Sequence, residues 1–174
     1  NMQVDIQNIK IHNFKIGSTF TLPADATAAP QQSDWDQSVV SSKWGFFLIK
    51  DKNISVSSST IATDLSTTTP MLFMPQKLTQ WNTAKSITQA DTDKETYLEI
   101  SCRIKKDGHY VFGSAGYDTM YVPFGADWEP GKRYVYTLIF GSGYKNTGEP
   151  ILIRPIAFEA DIADWGVSNN DHAF

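Results

Sequence analysis

The chain has 174 residues, which is the length of one domain of ordinary size. It carries 15 Lys and Arg against 19 Asp and Glu, and this acidic balance argues against a nucleic-acid partner held by overall charge. A hydrophobic fraction of 41% excludes wholesale disorder. No apolar run reaches the roughly 18 residues of a membrane-spanning helix. The single cysteine, Cys102, excludes an internal disulfide and a cysteine-based zinc cluster.

The first apolar segment alternates with a period of two, as in a β-strand, but the alternation changes phase. Val4 and Ile6 share one parity. Ile9 and Ile11 share the other parity. The change falls at residues 7–8, and it predicts either a β-bulge or a strand that passes from one sheet to another.

Short strand-sized segments follow along the chain, and no long segment has the period of a helix. We predict one short helix within residues 76–86. Two polar stretches, 24–42 and 57–69, are expected to be long surface connections. Further strands are predicted at residues 17–23, 46–49, 54–56, 71–74 and 117–123.

The clearest local signal is a hairpin around residues 107–108. In the strand before it, apolar residues alternate with charged ones, and Asp107-Gly108 is a dipeptide that tolerates the positive φ of a tight hairpin turn. The return strand is residues 109–112. The inward-facing residues of the first strand are Leu98, Ile100, Cys102 and Ile104.

The last third of the chain predicts two further strands. Residues 133–140 are apolar on both faces, which is typical of a central strand covered on both sides, and Pro130-Gly131 before it fits a type II turn. A final strand begins at residue 151, with Pro155 predicting a bulge or an edge position. Together these patterns predict an all-β fold, a two-sheet β-sandwich of about seven to ten strands. We expect a single domain over residues 1–174, in which residues 166–174 form a flexible tail.

The sequence offers several groups for chemistry, but none makes a recognisable active site. His12, His109 and His172 are scattered, and we interpret them as solvated or turn histidines. Asp91, Asp93 and Glu95 are spaced as calcium ligands can be. However, the glycine of a calcium loop is missing and Lys94 lies among them, so a solvated loop is the preferred interpretation.

Two other groups are also interpreted without a catalytic role. Asp34 and Asp36 flank Trp35, and a carboxylate pair beside an aromatic ring occurs in glycosidases, but no second group supports it. Residues 141–143 lack the further glycines of a phosphate loop and predict a hairpin loop. Cys102 is expected to be a small buried hydrophobe. We therefore predict no catalytic, cofactor-binding or metal-binding residues and no cofactor.

Five tryptophans are the remaining candidates for function. Trp128 and Trp165 adjoin strands and are expected in the core. Trp35 or Trp81 could instead form a platform on which a sugar ring stacks, with Asp91, Asp93 or Glu95 as polar or calcium contacts. These tryptophans leave a carbohydrate-binding module open as an alternative. A hydrolase on a β-sandwich is a less favoured alternative, which would require a pocket with two facing carboxylates.

Three pieces of the sequence, taken in order, resemble the fimbrillin-like proteins, which are the type V pilins and associated pilus components of anaerobic Gram-negative bacteria. The resemblance covers most of the chain and is strongest to the C-terminal of the family's two domains. The matching pieces are residues 9–14 with 17–23 (IKIHNF and GSTFTLP), 71–76 (MLFMPQ), and 122–140 with 156–165 (VPF…WEPGKRYVYTLIF and IAFEADIADW).

The resemblance implies a transthyretin-like, Greek-key sandwich and a non-enzymatic role in a fimbria. It also implies assembly by donor-strand exchange, in which a strand of one subunit pairs with a sheet edge of its neighbour. The implied partners are other pilin subunits, surface ligands and a possible glycan. The implied location is the fimbria and outer membrane of the cell surface, where the protein would serve as a stalk subunit or as a tip or anchor component. The candidate exchanged segment is residues 156–174, of which residues 166–174 are a poor donor strand because they hold few apolar side chains.

Overall fold

The structure, a computed structural model, describes residues 2–25, 27–38, 42–43, 45–57, 63–65, 71–140, 143–151 and 158–164. For residues 42–43 and 158–164 the description is of the backbone. Within these residues the protein forms strands, one α-helix and one 3-10 turn. The strands are β1 (Met2–His12), β2 (Phe14–Lys15), β3 (Thr19–Phe20), β4 (Trp35–Asp36), β5 (Ser42–Lys43), β6 (Phe46–Ile49), β7 (Ile54–Ser57), β8 (Gln76–Leu78), β9 (Tyr97–Lys106), β10 (His109–Phe112), β11 (Asp118–Pro123), β12 (Ala126–Trp128), β13 (Lys132–Leu138), β14 (Gly143–Tyr144), β15 (Pro150–Ile151) and β16 (Phe158–Asp164).

One antiparallel sheet of eight strands, here called the main sheet, organises the molecule. Its order is β15-β14-β11-β9-β1-β6, with β10 paired to β9 and β7 paired to β1. The long strands β1 and β9 lie side by side at its centre, and each changes its outer partner along its length. The remaining strands form four two-stranded pieces: β8–β12, β13–β16, β2–β5 and β3–β4. The predicted all-β fold is confirmed, although the strands are shorter and more numerous than expected.

The phase change in β1 is a β-bulge, as one of the two sequence interpretations predicted. The register of β1 against β9 shifts between Ile6 and Asn8. On the other side of β1, strand pairing is interrupted beside the bulge, between β6 and β7. There Asp51 has a φ of 50°, and its backbone N–H donates to the Asn8 side chain at 2.8 Å. The strand therefore exchanges the partner β7 for β6 and does not pass to another sheet.

The hairpin of β9 and β10 is also confirmed. Asp107 and Gly108 have φ angles of 49° and 85°, which is the left-handed conformation that a two-residue hairpin turn requires. The inward side chains of β9 are buried, and Cys102 among them has no exposed surface.

The core lies between one face of the main sheet and the two-stranded pieces packed against it. Trp128 of β12 and Leu78 of β8 belong to this cluster, and Tyr134, Tyr136 and Leu138 of β13 pack on it while remaining partly exposed. Trp128 is 6% exposed, so its predicted core position is confirmed. The main-sheet residues of the core are Val4, Ile6, Ile9, Ile11, Ile49, Leu98, Ile100, Cys102, Ile104, Met120 and Val122.

The prediction that residues 133–140 form a central strand covered on both faces was wrong. In the described part of the chain, β13 pairs only with β16. Val135 is 49% exposed and Ile139 43% exposed, because one face of this strand packs on the core and the other faces outward. A run of apolar residues on both faces therefore does not mean burial on both faces here.

The predicted helix within residues 76–86 was also wrong. Residues 76–78 form β8, and the helix α1 is Ile87–Asp93. Ser86 caps it by accepting a hydrogen bond from the backbone N–H of Gln89, and Lys94 ends it in the left-handed conformation with a φ of 60°. Asp91 and Asp93 are therefore helical and do not belong to a solvated loop.

Three other strand and loop predictions need correction. Residues 71–74 are irregular and precede β8, and of residues 17–23 only Thr19–Phe20 form a strand. The stretch 24–42 contains a 3-10 turn (Gln32–Asp34) and β4, so it is more ordered than expected. The predictions for Pro155, Trp165, His172 and residues 166–174, and most of those for residues 57–69, fall outside the described residues.

Candidate functional site

The outer face of the main sheet, turned away from the core, carries a half-buried ionic group. Lys10 and His12 on β1 both contact Glu99 on β9: Lys10 Nζ lies 2.7 Å from one carboxylate oxygen, and His12 Nε2 lies 2.8 Å from the other. The His12 ring stacks on Tyr97 with centroids 4.6 Å apart. His12 was predicted to be a solvated or turn histidine, and this is wrong because strand pairing places it across from Tyr97.

The helix α1 covers one end of this outer face. Trp81 is 1% exposed and packs with Ala90 of the helix and Tyr97 of β9. Asp91 accepts hydrogen bonds from the Tyr97 hydroxyl and the Asn13 side chain, both at 2.8 Å. Burial and the bond to Asp91 raise the pKa of Tyr97 above its usual range. These contacts fasten the helix to the sheet, so we interpret them as structural.

The ionic group at Glu99 predicts a specific acid sensitivity. The hydrogen bond from His12 and the contact with Lys10 hold the pKa of Glu99 at about 2, below its ordinary value of 4.5. A lowered pKa stabilises the fold above pH 4.5, and this contribution is lost as the pH falls towards 2. We expect Glu99→Gln to lower the free energy of unfolding by about 2–3 kcal/mol at pH 7, and the difference from the unmodified protein to vanish near pH 2.

Urea unfolding between pH 2 and pH 7 measures this difference. Glu149→Gln is a matched control, because Glu149 pairs with Lys145 at an exposed site and such pairs contribute little. A Glu99→Gln effect that is the same at pH 2 and pH 7 would show that the Glu99 charge does not stabilise the fold.

The three carboxylates considered for calcium do not converge on one point. Asp91 accepts from Tyr97 and Asn13, whereas Asp93 accepts from Lys85 and Gln89. Glu95 accepts from the Asn82 backbone N–H and pairs with Lys85. Across the described residues, no group of three or more His, Cys, Asp or Glu side chains is arranged to hold a metal ion.

The other sequence candidates lie apart from one another. His109 is exposed at the hairpin turn, as expected. Asp34 caps the backbone N–H of Gln31, and Asp36 accepts from the backbone N–H of Ser38, so the two carboxylates do not face each other across a cleft as a glycosidase pair would. Residues 141–143 were predicted to form a hairpin loop. Residues 141–142 lie outside the described residues, and Gly143 begins β14.

The tryptophan positions bear on the sugar-binding alternative. Trp81 was considered as an exposed platform, and this is wrong because the ring is buried and its Nε1–H donates to the Lys85 carbonyl at 3.1 Å. Trp35 is half-buried against Phe20, with ring centroids 4.5 Å apart and planes tilted by 42°. The two rings therefore do not form the coplanar pair that favours sugar stacking.

The described cavity does not resemble a hydrolase site. It is an open depression of about 470 Å³ beside β11, β14 and β15. Asp118 is the single carboxylate among its lining residues, which are Phe112, Asp118, Thr119, Tyr121, Lys145, Asn146 and Ile151. The two facing carboxylates of a glycosidase would need a second carboxylate beside Asp118, and none is among these lining residues.

Strand edges are the feature with the clearest capacity to bind another protein. β16 pairs antiparallel with β13 over seven residues, from Lys132 opposite Asp164 to Leu138 opposite Phe158. Neither strand pairs with a further strand in the part of the chain that the structure describes. The sequence signalled both strands, but not that they form a separate two-stranded unit on the core.

Comparisons with known proteins identify the family of the chain. No curated protein matched the sequence, and neither did any solved structure. None of the helices formed by the described residues has the length and apolar character to cross a bilayer. A family model described as fimbrillin-like matches residues 1–165, which is nearly the whole chain. The chain therefore belongs to the fimbrillin-like family, whose members are exported structural subunits of surface fimbriae.

Proposed function

We propose that this protein is a non-enzymatic fimbrial subunit, in the stalk or as a tip or anchor component, and that it joins its neighbours by β-strand addition with β16 as the exchanged strand. It would act at the cell surface, associated with the outer membrane. The observation that carries the proposal is that, among the described strands, β16 and β13 pair only with each other. A strand with one partner can be replaced by the same strand of another copy with no other strand pairing lost.

The position of β13 supports an exchange at this edge. Its inward residues Tyr134, Tyr136 and Leu138 already pack on the core while remaining partly exposed. Without β16, β13 would present a row of unpaired backbone groups above this apolar surface. An incoming strand satisfies both the hydrogen bonds and the apolar contact, which is the physical basis of strand addition.

The register gives a direct test by cysteine pairing. Thr137 lies opposite Glu159, and directly opposed residues of an antiparallel pair have Cα atoms about 4.5–5.5 Å apart, within the range that a disulfide spans. We expect a mixture of the single variants Thr137→Cys and Glu159→Cys to form disulfide-linked dimers under conditions in which fimbriae assemble. Non-reducing electrophoresis measures the dimers. The native Cys102 does not interfere, because it is fully buried.

Lys132→Cys mixed with Glu159→Cys is the off-register control. Lys132 lies opposite Asp164, so the two cysteines would be roughly 17 Å apart along the strand. A double variant carrying both Thr137→Cys and Glu159→Cys reports the pairing within one copy. If the double variant forms its disulfide while the mixed single variants never form dimers, β16 stays in its own copy and strand exchange at β13 is wrong.

Removal of residues 158–174 should abolish polymers while the β-sheet signal of the monomer remains.

A further inference from the structure

Two exposed rings on the outer face of the main sheet are each flanked by two cations. Phe47 is 37% exposed, and Lys10 and Lys50 lie 4.9 and 5.4 Å from its centroid. Tyr110 is 40% exposed, and Arg103 and Lys105 lie 5.9 and 4.9 Å from its centroid. We call these six residues the basic face.

The basic face has an excess of positive charge. Lys10 pairs with Glu99, and Arg103 pairs with Asp5 at 2.9 Å. No carboxylate among the described residues pairs with Lys50 or with Lys105. Cations that contact only a ring remain able to pair with an anion from outside the molecule.

A patch of acidic residues lies on the opposite side of the sandwich. Trp128 points into the core, so its neighbours Asp127 and Glu129 are exposed on the side away from the main sheet. The Gln32 side chain donates to Asp127 and to the Trp128 carbonyl, both at 2.9 Å, and so places the 3-10 turn beside them. We call the following residues the acidic patch: Phe20, Leu22, Asp25, Asp34, Trp35, Asp36, Asp127 and Glu129.

Asp25 and Asp36 of the acidic patch are hydrogen-bonded to neutral groups and not to cations. Asp25 accepts from Thr27 and Asp36 accepts from Ser38, and these hydrogen bonds lower the pKa of both carboxyl groups. The patch has five carboxylates, and the exposed cations on its side of the sandwich include Lys77 and Arg133. Its apolar centre is well exposed: Leu22 is 79% exposed and Phe20 41% exposed.

We propose that the basic face binds the acidic patch of a second copy of this protein. Each surface combines exposed apolar side chains with charges of one sign, and the signs are opposite, as in complementary interfaces. The two surfaces lie on opposite sides of the sandwich, so the basic face of one copy cannot bind the acidic patch of the same copy. The contact is heterologous, and its repetition gives an open stack of subunits.

The dimensions of the basic face suit such a contact. Phe47 and Tyr110 are separated by three strand spacings and by six residues along β9, which is roughly 24 Å. A standard interface buries about 800 Å² on each partner, which corresponds to a patch of similar width. No residue of the basic face or of the acidic patch belongs to β13 or β16, so this contact goes beyond the strand exchange proposed above and can be tested separately from it.

The test uses charge reversal on each surface. The basic-face variant carries Lys50→Glu and Lys105→Glu, and the acidic-patch variant carries Asp36→Lys and Glu129→Lys. We expect the unmodified protein to self-associate at 20 mM salt. Its association constant should fall at least tenfold at 500 mM salt, because salt screens surface charges. Each variant alone should lose association by at least tenfold, because like charges then face each other. Sedimentation velocity measures the association in every case.

An equimolar mixture of the two variants provides the decisive result. In the mixture the two reversed surfaces have opposite signs, and the unmodified acidic patch of one variant can meet the unmodified basic face of the other. We therefore expect association to return to within threefold of the unmodified protein. Lys145→Glu, at an exposed site outside both surfaces, should change nothing. Unchanged thermal melting shows that the variants are folded.

Three outcomes would overturn the proposal: an unmodified protein that stays monomeric at 20 mM salt, variants that associate as it does, or a mixture that stays monomeric. Failure of strand exchange is distinguishable from these outcomes, because it appears as absent disulfide dimers while the salt-dependent association persists.

Discussion

Replacing Trp128 by alanine is expected to lower the free energy of unfolding by about 3–5 kcal/mol, which is typical for removal of a buried Trp side chain. Its ring packs on Phe73 and Phe124, with centroids 4.9 and 6.3 Å away. Its Nε1–H donates to the Tyr136 hydroxyl at 2.7 Å and so connects β12 to β13. The substitution therefore loosens β13, the strand that pairs with β16. Urea unfolding measures the loss.

Two controls separate the causes of the Trp128 effect. Tyr136→Phe removes the hydrogen bond and keeps most of the packing, so a smaller loss of about 1–3 kcal/mol is expected, because the indole N–H is left without its partner. Trp35→Ala removes a half-buried indole outside the core and should cost about 1 kcal/mol or less. If Trp128→Ala costs no more than Trp35→Ala, the assigned core is wrong.

Replacing Gly148 by alanine is expected to cost about 3 kcal/mol or more. Gly148 has a φ of 86°, which strains any residue with a Cβ atom. In addition, an added Cβ would overlap the Thr83 carbonyl oxygen and lie 2.8 Å from the Lys85 carbonyl oxygen. The turn that holds Gly148 also fastens the helix, since the Asn146 carbonyl accepts from the backbone N–H of Ile87 at 2.8 Å. The substitution should therefore push this turn away from the start of α1.

Gly131 is the matched control, because it has a similar φ of 66° but open space where the Cβ would lie. Gly131→Ala should show only the backbone strain of about 1–2 kcal/mol. Thermal unfolding of both variants gives the comparison, and hydrogen exchange at Ile87 shows whether the helix start is loosened. Equal losses for the two variants would mean that the close approach at Gly148 has no energetic consequence.

Features that depend only on residues adjacent in the sequence could be predicted from it. Asp107-Gly108 specifies its turn through its own backbone preferences, and the phase change at residues 7–8 follows from the period of two. The helix α1 could not be predicted in this way. It has seven residues, too few to be stable by themselves, and Trp81 and Tyr97 hold it in place.

The candidate surfaces were missed for a related reason. Phe47, Lys10, Arg103 and Tyr110 come from four strands, and only the pairing of those strands brings them to one face. The exposure of β13 was missed because an exposed apolar face and a buried one can have the same composition. The family resemblance, by contrast, depends on the order of motifs along the sequence, and it is confirmed over residues 1–165.

The burial of Cys102 gives the molecule an internal reporter of unfolding. It is the single thiol of the protein, and burial raises its pKa to about 12, so it is neither accessible nor ionised in the folded state. An alkylating reagent can reach it only when β9 separates from the layer that covers it. The alkylation rate of a native subunit, free or within a fibre, therefore counts how often the sheets come apart, without any introduced label.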